Sequence, residues 1–207
     1  ESAIDTATTN SNNNSVDGKE DAKKFYFYVA SCQDLKLEQH LPYLQSESCK
    51  ECVDIAMAVF LFNYLTCEEM TLAMKQIYSA LKPGGIFVFS VPHPSMILYH
   101  HDNNNNKDVI FRLDCKEGMG YYNSRNKKIK GQISTIKGEK LNIMCIHKTL
   151  HDYIKAIQDS GFDILDIQEA GVTEEHLEMN PEFFESVKER PLHLIFKLEK
   201  KTKTSSY

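Results

Sequence analysis

Short continuous apolar runs and amphipathic stretches take turns along this chain. Lys24 to Ala30 is aromatic and β-branched throughout, which predicts a strand. Val53 to Phe60 is a brief unbroken apolar run, the pattern of a parallel strand covered on both faces, and Ile86 to Val91 repeats it. Between them, Thr66 to Leu81 predicts a helix. Thr66 stands at the N-cap, Glu69 completes a capping box, and Leu72, Ile77, Tyr78 and Leu81 recur at helical spacing. The run Lys82-Pro-Gly-Gly85 ends it, because Pro forbids continuation and Gly supplies a left-handed cap. A second helix is expected over Thr149 to Ser160, with Leu150, Tyr153, Ile154 and Ile157 on one face and Gly161 as its stop. Phe162 to Gln168 and Pro191 to Leu198 read as strands, with a short acidic helix from Pro181 to Lys188 between them. Strands alternating with helices predict an open α/β sheet. The last two strands lack a long crossover and are expected to form an antiparallel edge.

Polar stretches mark the limits of this pattern. Residues 1–22 are rich in Ser, Thr, Asn, Asp and Ala, and Thr9 to Gly18 reads as a loop. His100 to Lys107, with four consecutive asparagines, reads as a surface loop, His100 and His101 as solvated side chains, and residues 199–207 as a flexible tail. One domain over residues 1–198 is expected, with 100–148 as a loop and lid-like insert.

A hydrophobic fraction of 42% beside 26% charged residues is globular composition. No apolar run approaches the roughly 20 residues needed to cross a bilayer, so no membrane partner is expected. A net charge of −5 argues against a nucleic-acid partner, and Arg125, Lys127, Lys128 and Lys130 read as a solvated hairpin. The six cysteines are too scattered for a disulfide framework, which points to a reducing compartment and, with no secretory signal visible, to the cytoplasm. Cys49 and Cys52 form a lone C-x-x-C without a second pair, so no metal is expected.

Three segments carry a resemblance: Tyr28-Val-Ala-Ser-Cys-Gln-Asp-Leu35, Val53 to Leu65, and Ala80-Leu-Lys-Pro-Gly-Gly-Ile-Phe-Val-Phe-Ser-Val91. In this order they resemble the C-terminal two-thirds of a class I S-adenosylmethionine-dependent methyltransferase. Leu-Lys-Pro-Gly-Gly before an apolar strand is that family's commonest local signature. Val91-Pro-His-Pro94, His147 to Tyr153 and Asp159-Ser-Gly-Phe162 resemble its small-molecule branch. The resemblance implies a Rossmann-like sheet in the order 3-2-1-4-5-7-6, in which Lys24 to Ala30 is strand three and Val53 to Phe60 strand four.

One departure stands against these matches. The family's glycine-rich turn after its first strand and the acid ending its second strand have no counterpart, since only Gly18 precedes Gly84. Strands one and two are therefore expected to be missing. The preferred expectation is a truncated gene model; a complementing chain that supplies the missing strands, or a rearranged sheet, are the others.

Ligands of open α/β sheets sit beyond the carboxyl ends of the strands, so candidates follow each strand. The resemblance implies S-adenosylmethionine as cofactor, with Ser31, Cys32 and Gln33 toward its adenine and Ala58, Val59 and Phe60 toward its methionine part. Most side chains of this last group are expected in the core. His93, directly after the fifth family strand, is a candidate to orient or deprotonate a substrate, and His147 is a candidate to lie over the same pocket. Pro94, Tyr121 and Tyr122 are candidate substrate walls, the tyrosines following a lid-like Gly118-Met-Gly120. The function expected is methyl transfer to a small molecule. The alternatives are a non-catalytic scaffold or regulatory subunit with the same sheet, and a nucleotide-dependent dehydrogenase, which fits Leu-Lys-Pro-Gly-Gly poorly.

Overall fold

The computed structural model describes residues 30–33, 51–99, 111–115, 118–135 and 137–202. The strand expected at Lys24 to Ala30 therefore lies outside the described residues save for its last member, as do Cys49, the polar N-terminus and the asparagine insert.

Chain order runs β1 (Val53–Val59), a 3-10 turn (Phe62–Tyr64), α1 (Cys67–Ala80), β2 (Leu81–Pro92), a 3-10 turn (Pro94–Leu98) and β3 (Phe111–Leu113). It continues through β4 (Lys128–Ser134), β5 (Lys140–Ile146), α2 (Leu150–Asp159), β6 (Phe162–Ala170), α3 (Glu174–Met179), α4 (Pro181–Phe184), a further 3-10 turn (Glu185–Val187) and β7 (His193–Lys200). Four strands form one sheet in the order β1-β2-β7-β6, and β3-β4-β5 form a second, antiparallel sheet. β1 and β2 are parallel, and β7 enters between β2 and β6, antiparallel to both. This is the order 4-5-7-6 that the resemblance implied, with its antiparallel C-terminal side.

Both main helices start as their sequences require. The Thr66 hydroxyl accepts the Glu69 N–H at 3.1 Å while the Glu69 carboxylate accepts the Thr66 N–H at 2.8 Å. Thr149 and Asp152 repeat the box at α2, with the Thr149 N–H and hydroxyl donating to Asp152 at 2.9 and 2.8 Å. Each reciprocal pair satisfies amides that a first helical turn leaves without partners. At the far end of α2, Gly161 takes φ +91°, and its missing side chain leaves room for the Tyr78 ring.

Met70, Ala73, Met74 and Ile77 of α1 and Tyr153, Ala156 and Ile157 of α2 are buried against one face of the sheet, opposite Phe87, Phe89, Val91, Leu194, Phe196 and Leu198. Aromatic rings dominate this layer. Phe89 stacks on Phe196 at 4.8 Å and meets the edge of Phe62 at 5.0 Å.

Four expectations need correction. Leu72 is exposed, because the buried stripe 70-73-74-77 puts position 72 on the opposite side of the helix. β1 is not covered on both faces: Ile55, Met57 and Val59 are 65%, 71% and 62% exposed, and from Ile55 onward the small Ala56 and Ala58 are the residues that turn toward the helices, with Val53 packing against the core ahead of the irregularity at Val53–Ile55. Val59 thus lies outside the core in which it was expected. The last strand continues to Lys200, whose buried ammonium donates to the Leu81 carbonyl at 2.7 Å and pairs with Glu51 at 3.3 Å, so the tail starts later than residue 199.

The described residues between 111 and 146 include the three paired strands β3, β4 and β5. Lys128-Ile-Lys-Gly-Gln-Ile-Ser134 alternates outward lysines with inward residues and pairs along its length with β5, so Lys128 and Lys130 lie on one side of a hairpin, as expected, whereas Arg125 lies in the turn before it and is bound to Asp152. Lys127, Lys128 and Lys130 are exposed.

Candidate active site at the carboxyl end of the sheet

Register fixes which residues meet. Pro92 is opposite His193, and His193 is opposite Ala170, so the carboxyl ends of β2 and β6 and the start of β7 form one rim. β1 ends there too, with Val59 opposite Ser90. Phe60, the next residue, takes a left-handed φ of +51°, which is costly for a side chain of this size. Its N–H donates to the Ser90 carbonyl at 3.0 Å and its ring lies 5.0 Å from that of His193. Burial pulls the His193 pKa below the ordinary imidazole value.

His93 leaves β2 with its N–H on the Leu192 carbonyl at 2.9 Å. Its imidazole caps the 3-10 turn that Pro94 begins: Nδ1 accepts the Ser95 N–H at 3.2 Å and lies 2.7 Å from the Ser95 hydroxyl. Nε2 faces a Glu169 carboxylate oxygen at 2.8 Å. The Ser95 hydroxyl is also 3.3 Å from the Tyr99 hydroxyl, and the Arg190 guanidinium lies 4.8 Å over the Tyr99 ring. The His93 side chain is 13% exposed and that of Glu169 63%, so the group runs from half-buried protein out to solvent.

The insert is clamped beside this rim. The Asn126 side chain, on a left-handed residue, accepts the Cys67 N–H at 2.9 Å and donates to Glu68 at 3.3 Å. Arg125 donates to the buried Asp152 at 2.5 Å. Burial works to raise the Asp152 carboxyl pKa, but its bonds from Thr149 and Arg125 outweigh that and hold it below the usual range. His147 is buried, with Nε2 at 2.8 Å from the Tyr121 carbonyl, and burial lowers its pKa. The Tyr121 hydroxyl accepts the Leu150 N–H at 2.9 Å; Tyr122 is 82% exposed. Next to His147, the buried Lys148 ammonium donates to the carbonyls of Phe62 at 2.8 Å and Ile146 at 3.2 Å, and burial pulls its pKa down to about 8. Burial likewise pushes the Cys145 thiol up to about 11. Asn63, in the turn after β1, is buried, and among the described residues its Oδ1 is the buried side-chain acceptor without a partner.

Of the cofactor candidates, Ser31 is exposed and accepts the Gln33 N–H at 3.3 Å, Cys32 packs against the core, and the Gln33 side chain bonds Glu69 at the start of α1. They therefore sit where the chain has just left the carboxyl end of β1. His93 and the buried Pro94 are at the rim; His147 and Tyr121 belong to the clamp, where the His147 Nε2 is already engaged. Among the described residues no group of three or more metal-ligating side chains occurs.

No family model matches the sequence, and no curated protein sequence matches it. Solved structures do. A Listeria monocytogenes protein assigned to the S-adenosylmethionine-dependent methyltransferases aligns with a TM-score of 0.51 at 22% identity, over 73% of this chain and 63% of that one. The chain has the fold of these methyltransferases. An S-adenosylmethionine-dependent methyltransferase from Mesorhizobium loti aligns less well, with a TM-score of 0.46 at 20% identity over 72% of this chain. The chain spans 63% of the length of each. Ligands of open α/β sheets sit beyond the carboxyl ends of the parallel strands, the end at which Phe60, His93 and Glu169 lie.

Sequence reasoning named His93 as a candidate but not its neighbours Ser95, Tyr99 and Glu169, nor the buried Asn63 and Lys148. Ser95 was legible as a polar residue two places after a proline-flanked histidine. Glu169 was not, because it is 76 residues away in sequence and becomes a neighbour only through the β6-β7-β2 register.

Proposed function

We propose that this chain carries the acceptor side and part of the cofactor site of an S-adenosylmethionine-dependent methyltransferase that acts on a small molecule. One observation carries the reading: at the ligand-bearing end of a methyltransferase sheet, an imidazole is held between a hydroxyl and a carboxylate. The unpartnered Asn63 Oδ1, past the end of β1, fits the positive methionine end of such a cofactor, and the cofactor would supply a methyl group already activated by the sulfonium. Ala58 to Phe60 would line that end, and Ser31, Cys32 and Gln33 would meet the adenine. The residues' own work is placement. They hold the acceptor atom about 3 Å from the methyl carbon, keep water out, and give His93 a proton to take. Tyr121, through its bond to Leu150, would hold the insert over the acceptor, and Pro94 would back it.

In this reading the exposed Ile55, Met57 and Val59 form the surface against which a further segment or a complementing chain packs. No described helix is long and apolar enough to cross a membrane.

Calorimetric titration of the chain with S-adenosylmethionine and S-adenosylhomocysteine tests the proposal. The expected result is saturable heat that Asn63→Leu weakens about tenfold or more. Absence of heat, in a chain whose circular dichroism shows the folded sheet, would favour the scaffold reading instead.

A further inference from the structure

The hydrogen bonds around His93 have a fixed direction. A backbone amide can only donate, so the Ser95 N–H at 3.2 Å requires a lone pair on Nδ1. An ionised carboxylate can only accept, so Glu169 at 2.8 Å requires the proton on Nε2. Both demands name the same tautomer. With Nδ1 bare, the Ser95 hydroxyl at 2.7 Å donates to it and is left to accept from the Tyr99 hydroxyl at 3.3 Å. The order Tyr99, Ser95, His93, Glu169 is a chain of donors running one way, from half-buried protein to an exposed carboxylate.

We propose that Glu169 is a positioning residue: it locks His93 as the Nε2–H tautomer and thereby makes Nδ1 the base, acting through the Ser95 hydroxyl. The inference rests on the methyl-transfer reading and deepens it. An acceptor hydroxyl or amine placed at Ser95 loses its proton to the Ser95 oxygen as the Ser95 proton moves to Nδ1. The acceptor's electron pair forms the new bond to the methyl carbon, and the carbon–sulfur pair stays on sulfur, leaving a neutral thioether. The imidazolium so formed turns its Nδ1–H back to the Ser95 oxygen, exchanging the longer amide bond for the shorter contact. Glu169 balances the charge until the proton leaves to water. A thiol acceptor, ionising readily near neutral pH, has little need of this relay.

The test is ring nitrogen NMR on the full chain labelled with ¹⁵N-histidine, with His93 assigned by its loss in His93→Gln. The expected spectrum shows His93 with a protonated Nε2 and a bare Nδ1. Glu169→Leu mixes the tautomers, while Glu169→Asp and Ser95→Ala keep the wild-type form. With S-adenosylmethionine and catechol as the acceptor probe, Glu169→Leu and Ser95→Ala lower kcat about 100-fold at a KM within twofold, and Glu169→Asp restores part of it. A wild-type Nδ1–H tautomer, an unchanged tautomer in Glu169→Leu, or an unchanged kcat in that variant overturns the proposal. Tautomer control by Glu169 in a chain that gives no heat with S-adenosylmethionine sinks the methyl-transfer reading and supports Glu169 as the residue that positions His93.

Discussion

The two faces of the four-stranded sheet are built from the same strands and behave differently. Under α1 and α2 the strands present Phe87, Phe89, Val91, Leu194, Phe196 and Leu198, all buried, in a layer of interlocked rings. On the other face β1 presents Ile55, Met57 and Val59 to solvent, β2 the half-buried Ile86, Val88 and Ser90, and β7 the alternation Ile195, Lys197, Glu199. Apolar character on that side is greatest at β1 and gives way to charge toward β7. Past Val53, β1 even reverses the usual assignment, turning Ala56 and Ala58 inward and Ile55, Met57 and Val59 out. Apolar sequence alone therefore does not say where a core is; in this fold the face that the helices cover does.

Substitutions on the two faces should separate sharply. Phe89→Ala removes a ring in contact with Phe62, Phe87, Tyr153 and Phe196, and a loss of about 3–5 kcal/mol is expected in denaturant unfolding. Asp152→Ala loosens the helical cover by leaving the buried Thr149 N–H and hydroxyl unpaired and freeing Arg125, a loss of about 2 kcal/mol. Gly161→Ala forces a side chain onto φ +91° with its Cβ 3.3 Å from the Tyr78 ring, and about 1–2 kcal/mol should go. Met57→Ala, on the open face, should stay within about 0.5 kcal/mol. A loss of about 2 kcal/mol or more at Met57 would break the comparison, because it would mean that this face is covered in solution.

Asp152 also gives the cover a pH signature. Its folded pKa lies below its unfolded one, so the native state releases that proton more readily than the unfolded chain. The stabilisation is whole above the unfolded carboxyl pKa of about 3.9 and is lost as pH falls through the lower folded value. Unfolding followed from pH 6 to 2 should show this acid limb in the wild type and a shallower one in Asp152→Asn.

Much of the covered face was legible before any coordinates. Thr66 with Glu69, Gly161 after a helix, and the runs at Val53 and Ile86 are local signals, and local physics decides them. The strand order followed from the family resemblance. The second sheet was half visible. The basic patch of Arg125, Lys127, Lys128 and Lys130 was read as a solvated hairpin, but the third strand of that sheet, Phe111–Leu113, is too short to announce itself. α3 was missed because Glu174–Met179 is acidic and has no buried residue to set a helical period. The site divides in the same way. His93 stood beside a recognisable strand end, whereas Lys148 was hidden by a rule that usually holds, that lysines are exposed. Its ammonium is buried because two carbonyls at a turn and a strand end receive it, a fact of tertiary placement.

The insertion of β7 between β2 and β6 bears on how the molecule is made. During synthesis β1, β2 and β6 all emerge before the segment that bridges them, and Leu81 must wait 119 residues for the ammonium of Lys200. Until then β2 and β6 each show a bare hydrogen-bonding edge to the cell. The ribosome thus delivers three planks before the keystone, and a nascent chain shortened by a single strand would lose the junction that makes them one sheet.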